Sequence, residues 1–232
     1  MLDRVELDRI ETAGRSARPA SLLQAMRERT KTLHVTAERT GIVAELLRGR
    51  GTRQAYALLL RNLMPVYETL EAELLRHQGT PVMGRIVRPE LHRSAAIKLD
   101  LAWFDASPLP LLPEAIAYVR VIQEAGAGSG HRLLAHAYTR YLGDLSGGQI
   151  IKKILARSLE LRPEATSFYE FPEIADIPRF KDDYRDVLEQ AGAAMAEHET
   201  VVEEAALAFE MNITLSQALQ EAAGLRTRCA KA

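Results

Sequence analysis

The sequence predicts an all-α fold, on three observations. Apolar residues recur at three- and four-residue spacing along most of the chain, strand-like alternation is scarce, and the glycine-rich AGAGSG and proline-bearing FYEFPEIADIP fall between periodic segments. No internal repeat, low-complexity segment or domain linker interrupts the pattern, so one multi-helical domain is expected over residues 19–223. Residues 1–18 are expected to form a flexible extension and residues 224–232 a polar tail.

The elements follow in order. Ser21 can cap a helix through SLLQAMRERTKTLHVTAERT, which Gly41 stops. A short helix fits IVAELLR, and a long one fits TRQAYALLLRNLMPVYETLEAELLRH, where Pro65 should introduce a kink. Further helices are expected over ELHRSAAIKLDLAWF, over PEAIAYVRVIQEA, and from about His131 to Leu159. Two more cover RFKDDYRDVLEQA and AEHETVVEEAALAFEMNITLSQALQEA. AGAGSG and FYEFPEIADIP read as connecting loops.

Composition narrows the function classes. Of the 232 residues, 47% are hydrophobic and 26% charged, as in an ordinary soluble domain. A net charge of −1 argues against a nucleic-acid binder or a polybasic membrane patch. No apolar run approaches the length of a membrane span, and the charged N-terminus does not read as a secretory signal. The single cysteine, Cys229, excludes a disulfide framework or cysteine metal site within the chain, so a reducing cytoplasm is expected.

One stretch needs an explanation. YLGDLSGGQIIKK, residues 141–153, places Gly143, Gly147, Gly148 and Asp144 inside a helical pattern. Each interior glycine costs about 1 kcal/mol relative to alanine, so something must offset the loss. LSGGQ is also the short signature of ABC-transporter ATPases, but the chain has neither a phosphate-cradling G-x-x-x-x-G-K-[ST] loop nor the strands that would carry one. A close crossing of two helices over small residues remains open. At helical pitch, however, Arg140, Gly143, Asp144, Gly147, Gly148 and Ile151 share one side while Leu142 and Leu145 point away. A crossing does not need an aspartate there. A flat ligand against bare backbone, with one carboxylate aimed at its reactive centre, does.

The first helix carries a complementary stripe. Arg27, Lys31, His34 and Glu38 share one face, apart from the apolar face of Leu22, Met26, Leu33 and Ala37. A metal-bound imidazole typically gives its second N–H to a carboxylate or carbonyl, which Glu38 could supply. The plainer reading is a solvated i,i+4 pair among surface cations.

These segments carry a resemblance to a known family. The chain resembles the biliverdin-forming heme oxygenases from about Leu22 to Ala222, through HVTAE, ELHR, DLAWF, HAYTRYLGDLSGGQIIKKI, RFKDDYR and AFEMNI. The resemblance implies a fold in which heme b, both substrate and cofactor, is sandwiched between a proximal helix and a kinked distal one. It implies His34 as the iron ligand with Glu38 behind it, and Gly143, Gly147 and Gly148 as the surface over the porphyrin. Arg27, Lys31, Tyr138, Lys181 and Arg185 would hold the propionates. Tyr67, Tyr118, Arg140 and Asn212 would form a polar network around Asp144, and Phe209 would line the pocket.

By the same resemblance, heme is cleaved with O2 at the α-meso carbon to biliverdin, carbon monoxide and ferrous iron. A neutral imidazole pushes less electron density onto iron than a thiolate does, which leaves oxygen free to attack the ring instead of being split. With no flavin or nicotinamide fingerprint in the chain, electrons would come from an external reductant, such as a ferredoxin or a reductase. A monomer is expected. Two other readings share such a fold: a heme carrier or sensor without turnover, and a non-heme iron or thiamine-salvage enzyme with several converging carboxylate and histidine ligands. The chain departs from the family pattern at Pro65 and at Ser216, where some members carry an aromatic; the latter bears on the outer wall of the pocket.

Overall fold

A computed structural model describes residues 21–104, 109–196 and 198–225. Among these residues every regular element is helical, as the periodicity predicts. The Ser21 hydroxyl accepts the Gln24 N–H at 3.3 Å and opens α1, Leu22–Arg39. The chain turns at Gly41, whose φ of +69° favours glycine. A Cβ at that position would also overlap Ser216, both its hydroxyl and its backbone. The helix that follows, α2 (Gly41–Leu47), takes its cap from across the molecule, where Ser216 Oγ accepts the Val43 N–H at 3.3 Å. Ser216 therefore sits at the corner between α1 and α2.

Thr52 caps α3, Arg53–Arg76, and Pro65 does not break this 24-residue helix. A single turn, α4 (Met83–Ile86), precedes one difference from the sequence reading. The helix expected from residue 90 starts only at Ser94, as α5 (Ser94–Leu101), after a separate 3-10 turn at Pro89–Leu91. The cause is Glu71 on α3. Its buried carboxylate accepts the N–H groups of Arg93 and Ser94 and the Ser94 hydroxyl, and so caps a new helix from another element. No side-chain spacing within residues 90–104 encodes that restart.

The remaining helices are α6 (Pro113–Ala125), α7 (Leu133–Gly143), α8 (Gln149–Ser158), α9 (Ile177–Ala193) and α10 (His198–Ala222). Asp176 caps α9 by accepting the Arg179 N–H at 3.0 Å. The loop before α9 contains a 3-10 turn, Ser167–Tyr169, held by the fully buried Asp100, which accepts the N–H groups of Ser167 and Phe168 at 2.6 and 2.8 Å. The last helix is the spine of the fold: α1, α2, α6 and α7 all pack against it, while α3 packs against α5 and α6. Tyr56, Tyr67, Tyr118, Tyr141 and Tyr184 are fully buried. Among the described residues no helix is long and apolar enough to cross a membrane.

Candidate active site

Between α7 and α8, residues Asp144–Gly148 form a wide π turn that joins the two helices into one rod. Such bulges relax the normal hydrogen-bond ladder, and glycine tolerates the distortion. The three glycines turn out not to be equivalent. Gly143 and Gly147 are exposed, and a Cβ on either would meet nothing within 4 Å. Gly148 is buried, and its Cβ would press on the Tyr169 ring at 2.8 Å. Two of the glycines therefore present bare backbone, whereas the third permits close packing of the rod on the loop before α9.

Asp144 is 7% exposed and terminates a chain of polar groups drawn from four helices. Asn212 on α10 donates to the Tyr118 hydroxyl at 3.1 Å and to Ala208 O at 2.8 Å. Its Oδ1 accepts from Arg140, which also donates to the Tyr67 hydroxyl through Nε at 2.9 Å and Nη2 at 2.6 Å. With both guanidinium bonds directed at its oxygen, Tyr67 gives its own proton to Asp144 Oδ2. Arg140 adds an i,i+4 ion pair, with Nη2 3.8 Å from Asp144 Oδ1.

Burial dominates the electrostatics of these groups. It pushes Asp144 above the usual carboxylate range, while Arg140, the Tyr67 hydrogen bond and Arg93 pull it back. Burial likewise raises Tyr67 well above an ordinary phenol and lifts Tyr118 to about 12. For Arg140, burial works against the charge, but Tyr67 and Asp144 more than offset it, so the guanidinium stays charged. Both tyrosines are thus neutral at physiological pH.

The stripe on α1 is built differently. The side chains of His34 and Glu38 are each 60% exposed, with His34 Nδ1 3.6 Å from Glu38 Oε1. Nε2 then remains as the ring nitrogen available to a ligand. Phe209 on α10 packs against the His34 ring, with centroids 5.8 Å apart. Phe209 and Asn212 lie about one turn apart on α10. The same stretch of the spine therefore touches the exposed imidazole through one residue and the buried polar chain through the other.

The basic groups gather at the approach of α1, α7 and α9. Tyr138 on α7 interacts with the buried Thr30 on α1, and burial raises its hydroxyl while Arg27 and Arg185 moderate the shift. Arg185 also pairs with Asp182 at 2.6 Å. Lys31 is exposed on the face of α1 that carries Arg27, and Lys181 is half-buried one turn before Arg185. Three groups that the sequence reading did not single out also border the site: Thr30 beneath Tyr138, Tyr169 beneath Gly148, and the buried Arg93. Arg93 was visible only as part of ELHR. Among the described residues no three His, Cys, Asp or Glu side chains converge as a metal cluster would require.

Comparisons with known proteins bear on the fold and the family. The Heme oxygenase family model matches residues 20–218. The chain is 39% identical over 210 residues to heme oxygenase 1 of Homo sapiens, covering 88% of this chain and 73% of the human protein. The crystal structure of heme oxygenase-1 from the cyanobacterium Synechocystis in complex with heme superposes with a TM-score of 0.80 at 36% identity, over 89% of this chain and 97% of that one. The heme oxygenase-2 of the same organism, in complex with heme and NO, gives 0.83 at 34% identity, over 89% and 88% of the two chains. A match of that length to the family model, with relatives above 30% identity over most of both chains, settles the kinship: the chain belongs to the heme oxygenase family.

Proposed function

We propose that heme b lies between α1 and the Gly143–Gly147 backbone, and that it is cleaved there at the α-meso carbon to biliverdin, carbon monoxide and ferrous iron. The family's activity, degradation of heme to biliverdin, is the activity of this chain. The observation that carries the placement is the convergence beside α10 of an exposed imidazole and a buried carboxylate, with bare glycine backbone next to the carboxylate. An imidazole donor, a flat surface without side chains and nearby cations fit a planar, dianionic metallocycle.

In this reading His34 Nε2 would hold the heme iron, and Glu38 would fix the ring through Nδ1. Gly143 and Gly147 let the distal rod approach the porphyrin, while Gly148 seats that rod on Tyr169. Arg27, Lys31, Tyr138, Lys181 and Arg185 hold the propionates by charge-assisted contacts, and Phe209 packs beside the ligand. Heme supplies the iron at which oxygen is activated and the ring that is oxidised. The protein's part is positional. Asp144, held by Tyr67 and Arg140, orients a water that donates a hydrogen bond at the distal face, and Tyr118 and Asn212 keep Arg140 aligned. Because the fixed dipoles are in place before substrate arrives, little reorganisation accompanies reaction.

O2 and an external reductant, a ferredoxin or a dedicated reductase, complete the reaction. The protein acts as a cytoplasmic monomer, with residues 19–223 forming the catalytic domain. The test is to add hemin, then reductant and oxygen, and follow the spectrum. Loss of the Soret band with growth of bilin absorption is expected. Heme absorption that persists without bilin would instead make the chain a carrier.

A further inference from the structure

Arg93 stands in the turn before α5 and is 5% exposed. Its guanidinium lies over the Phe171 ring, 4.0 Å from the centroid. Nε donates to Leu91 O at 3.1 Å, Nη2 to Glu90 O at 3.1 Å, and Nη1 to Phe168 O at 3.5 Å and to Glu170 O. Among the described residues all of its side-chain hydrogen bonds end on carbonyls, which orient the cation but do not neutralise it. A buried charge without a counter-charge is costly, and this position needs more explanation than packing offers.

Two buried carboxylates are candidates for that counter-charge. Glu71 is engaged by the Arg93 and Ser94 N–H groups and the Ser94 hydroxyl, so it serves first as a helix cap. Asp144 is reached through a short stack of rings. Phe168, whose carbonyl faces Arg93, sets its ring against Tyr67 at a centroid distance of 5.4 Å, and the Tyr67 hydroxyl donates to Asp144. Arg93, Arg140, Glu71 and Asp144 form a buried set around Tyr67 and Tyr141 whose charges cancel when both carboxylates are ionised.

We propose that Arg93 is a positioning residue for the reaction, a fixed buried cation that holds Asp144 in its ionised form from within the core. The inference rests on the role given to Asp144 above. Arg140 on α7 and Tyr67 on α3 contact Asp144 directly, and the charges or dipoles of Tyr141 on α7, Tyr118 on α6, Tyr169 in the turn before α9, and Arg93 beyond the Phe168 and Tyr67 rings also act on it. Burial raises Asp144, and Arg140, Tyr67 and Arg93 oppose it. Burial lowers Arg93, and Asp144 is foremost among the groups that resist the drop. Removing the Arg93 charge should therefore raise Asp144 further and enlarge its protonated fraction near neutrality.

The test is a titration of the Asp144 side-chain carboxyl by 13C NMR in the apo protein, assigned with Asp144→Asn. Arg93→Gln should raise its midpoint by about one pH unit, while Arg93→Lys, which keeps the charge, should leave it near wild type. The acid limb of biliverdin formation should move by the same amount. An unmoved midpoint in Arg93→Gln overturns the proposal. A midpoint that moves while the acid limb of turnover stays put upholds Arg93's hold on Asp144 and refutes the role of Asp144 in the chemistry. Should Arg93→Gln fail to fold, the reciprocal measurement decides. Asp144→Asn should shift the Arg93 Nε–H resonance and speed its exchange, and an unmoved resonance overturns the proposal.

Discussion

The two sides of the site are built on opposite physical terms. On α1 the functional groups are exposed: His34 and Glu38 are each 60% accessible and meet at 3.6 Å, a geometry worth little in water. On the α7–α8 rod the groups are buried, bonded in sequence and charged at both ends of the Arg140–Asp144 pair. One side thus offers a ligand atom that the fold leaves uncommitted, whereas the other is fixed before anything binds. Substitutions on the first side should be silent for folding and severe for function. On the second side the two effects should be mixed.

The largest expected effect breaks the exposed side. His34→Ala should fold as well as wild type and still take up heme, but its bilin production should fall about 100-fold or more, in the range lost with a directly acting group. Added imidazole should restore part of the activity, as read from Soret position and bilin yield. Wild-type turnover without imidazole would remove His34 as the ligand.

On the buried side, Asp144→Ala should keep heme affinity and lose about 100-fold in biliverdin formation. In the wild-type protein, turnover should fall as pH drops through the Asp144 midpoint. That limb should lie above the ordinary carboxylate range because burial raises the group. A pH–rate profile flat through that region would show that ionised Asp144 is not required.

The glycines sharpen the contrast by differing from each other. Gly148→Ala drives a methyl into the Tyr169 ring at 2.8 Å and should destabilise the apo protein by about 1–3 kcal/mol, as overpacking does. Gly147→Ala meets open space and should gain up to about 1 kcal/mol of helix propensity while weakening heme binding. Thermal melts and hemin titrations of both variants decide the matter, and equal behaviour would erase the distinction.

The smallest effect concerns seating. Replacing Lys181 and Arg185 together by alanine should leave total turnover largely intact but yield a mixture of biliverdin isomers. A bias of about 1.4 kcal/mol between two seatings gives roughly tenfold selectivity, so partial loss is readable by chromatography. One unchanged isomer would show that pocket shape sets the register.

Legibility in the sequence follows the range of the interactions. Helix periods, the Ser21 cap and the shared faces of His34–Glu38 and Arg140–Asp144 are local and could be read directly from spacing. The restart of α5 at Ser94 could not, because its cap comes from Glu71 on another helix. Helical pitch grouped Gly148 with Gly143 and Gly147, and only the Tyr169 ring separates them. Arg93 was hidden for the same reason. Its surroundings are carbonyls and rings from other segments, and an arginine in isolation reads as a surface residue.

The corner at Gly41 bears on when, during synthesis, this protein can begin to work. The turn that ends α1 is locked by Ser216, 173 residues beyond Val43, and the flank of the same helix is tied by the Arg29–Glu203 pair 174 residues apart. Contacts between such distant positions close last, because the chain must first exist and then loop back. The helix that carries His34 leaves the ribosome well before α10, the element against which most of it packs. Heme capture is therefore expected to wait until α10 has been made and docked, which keeps a redox-active metal off partly folded protein.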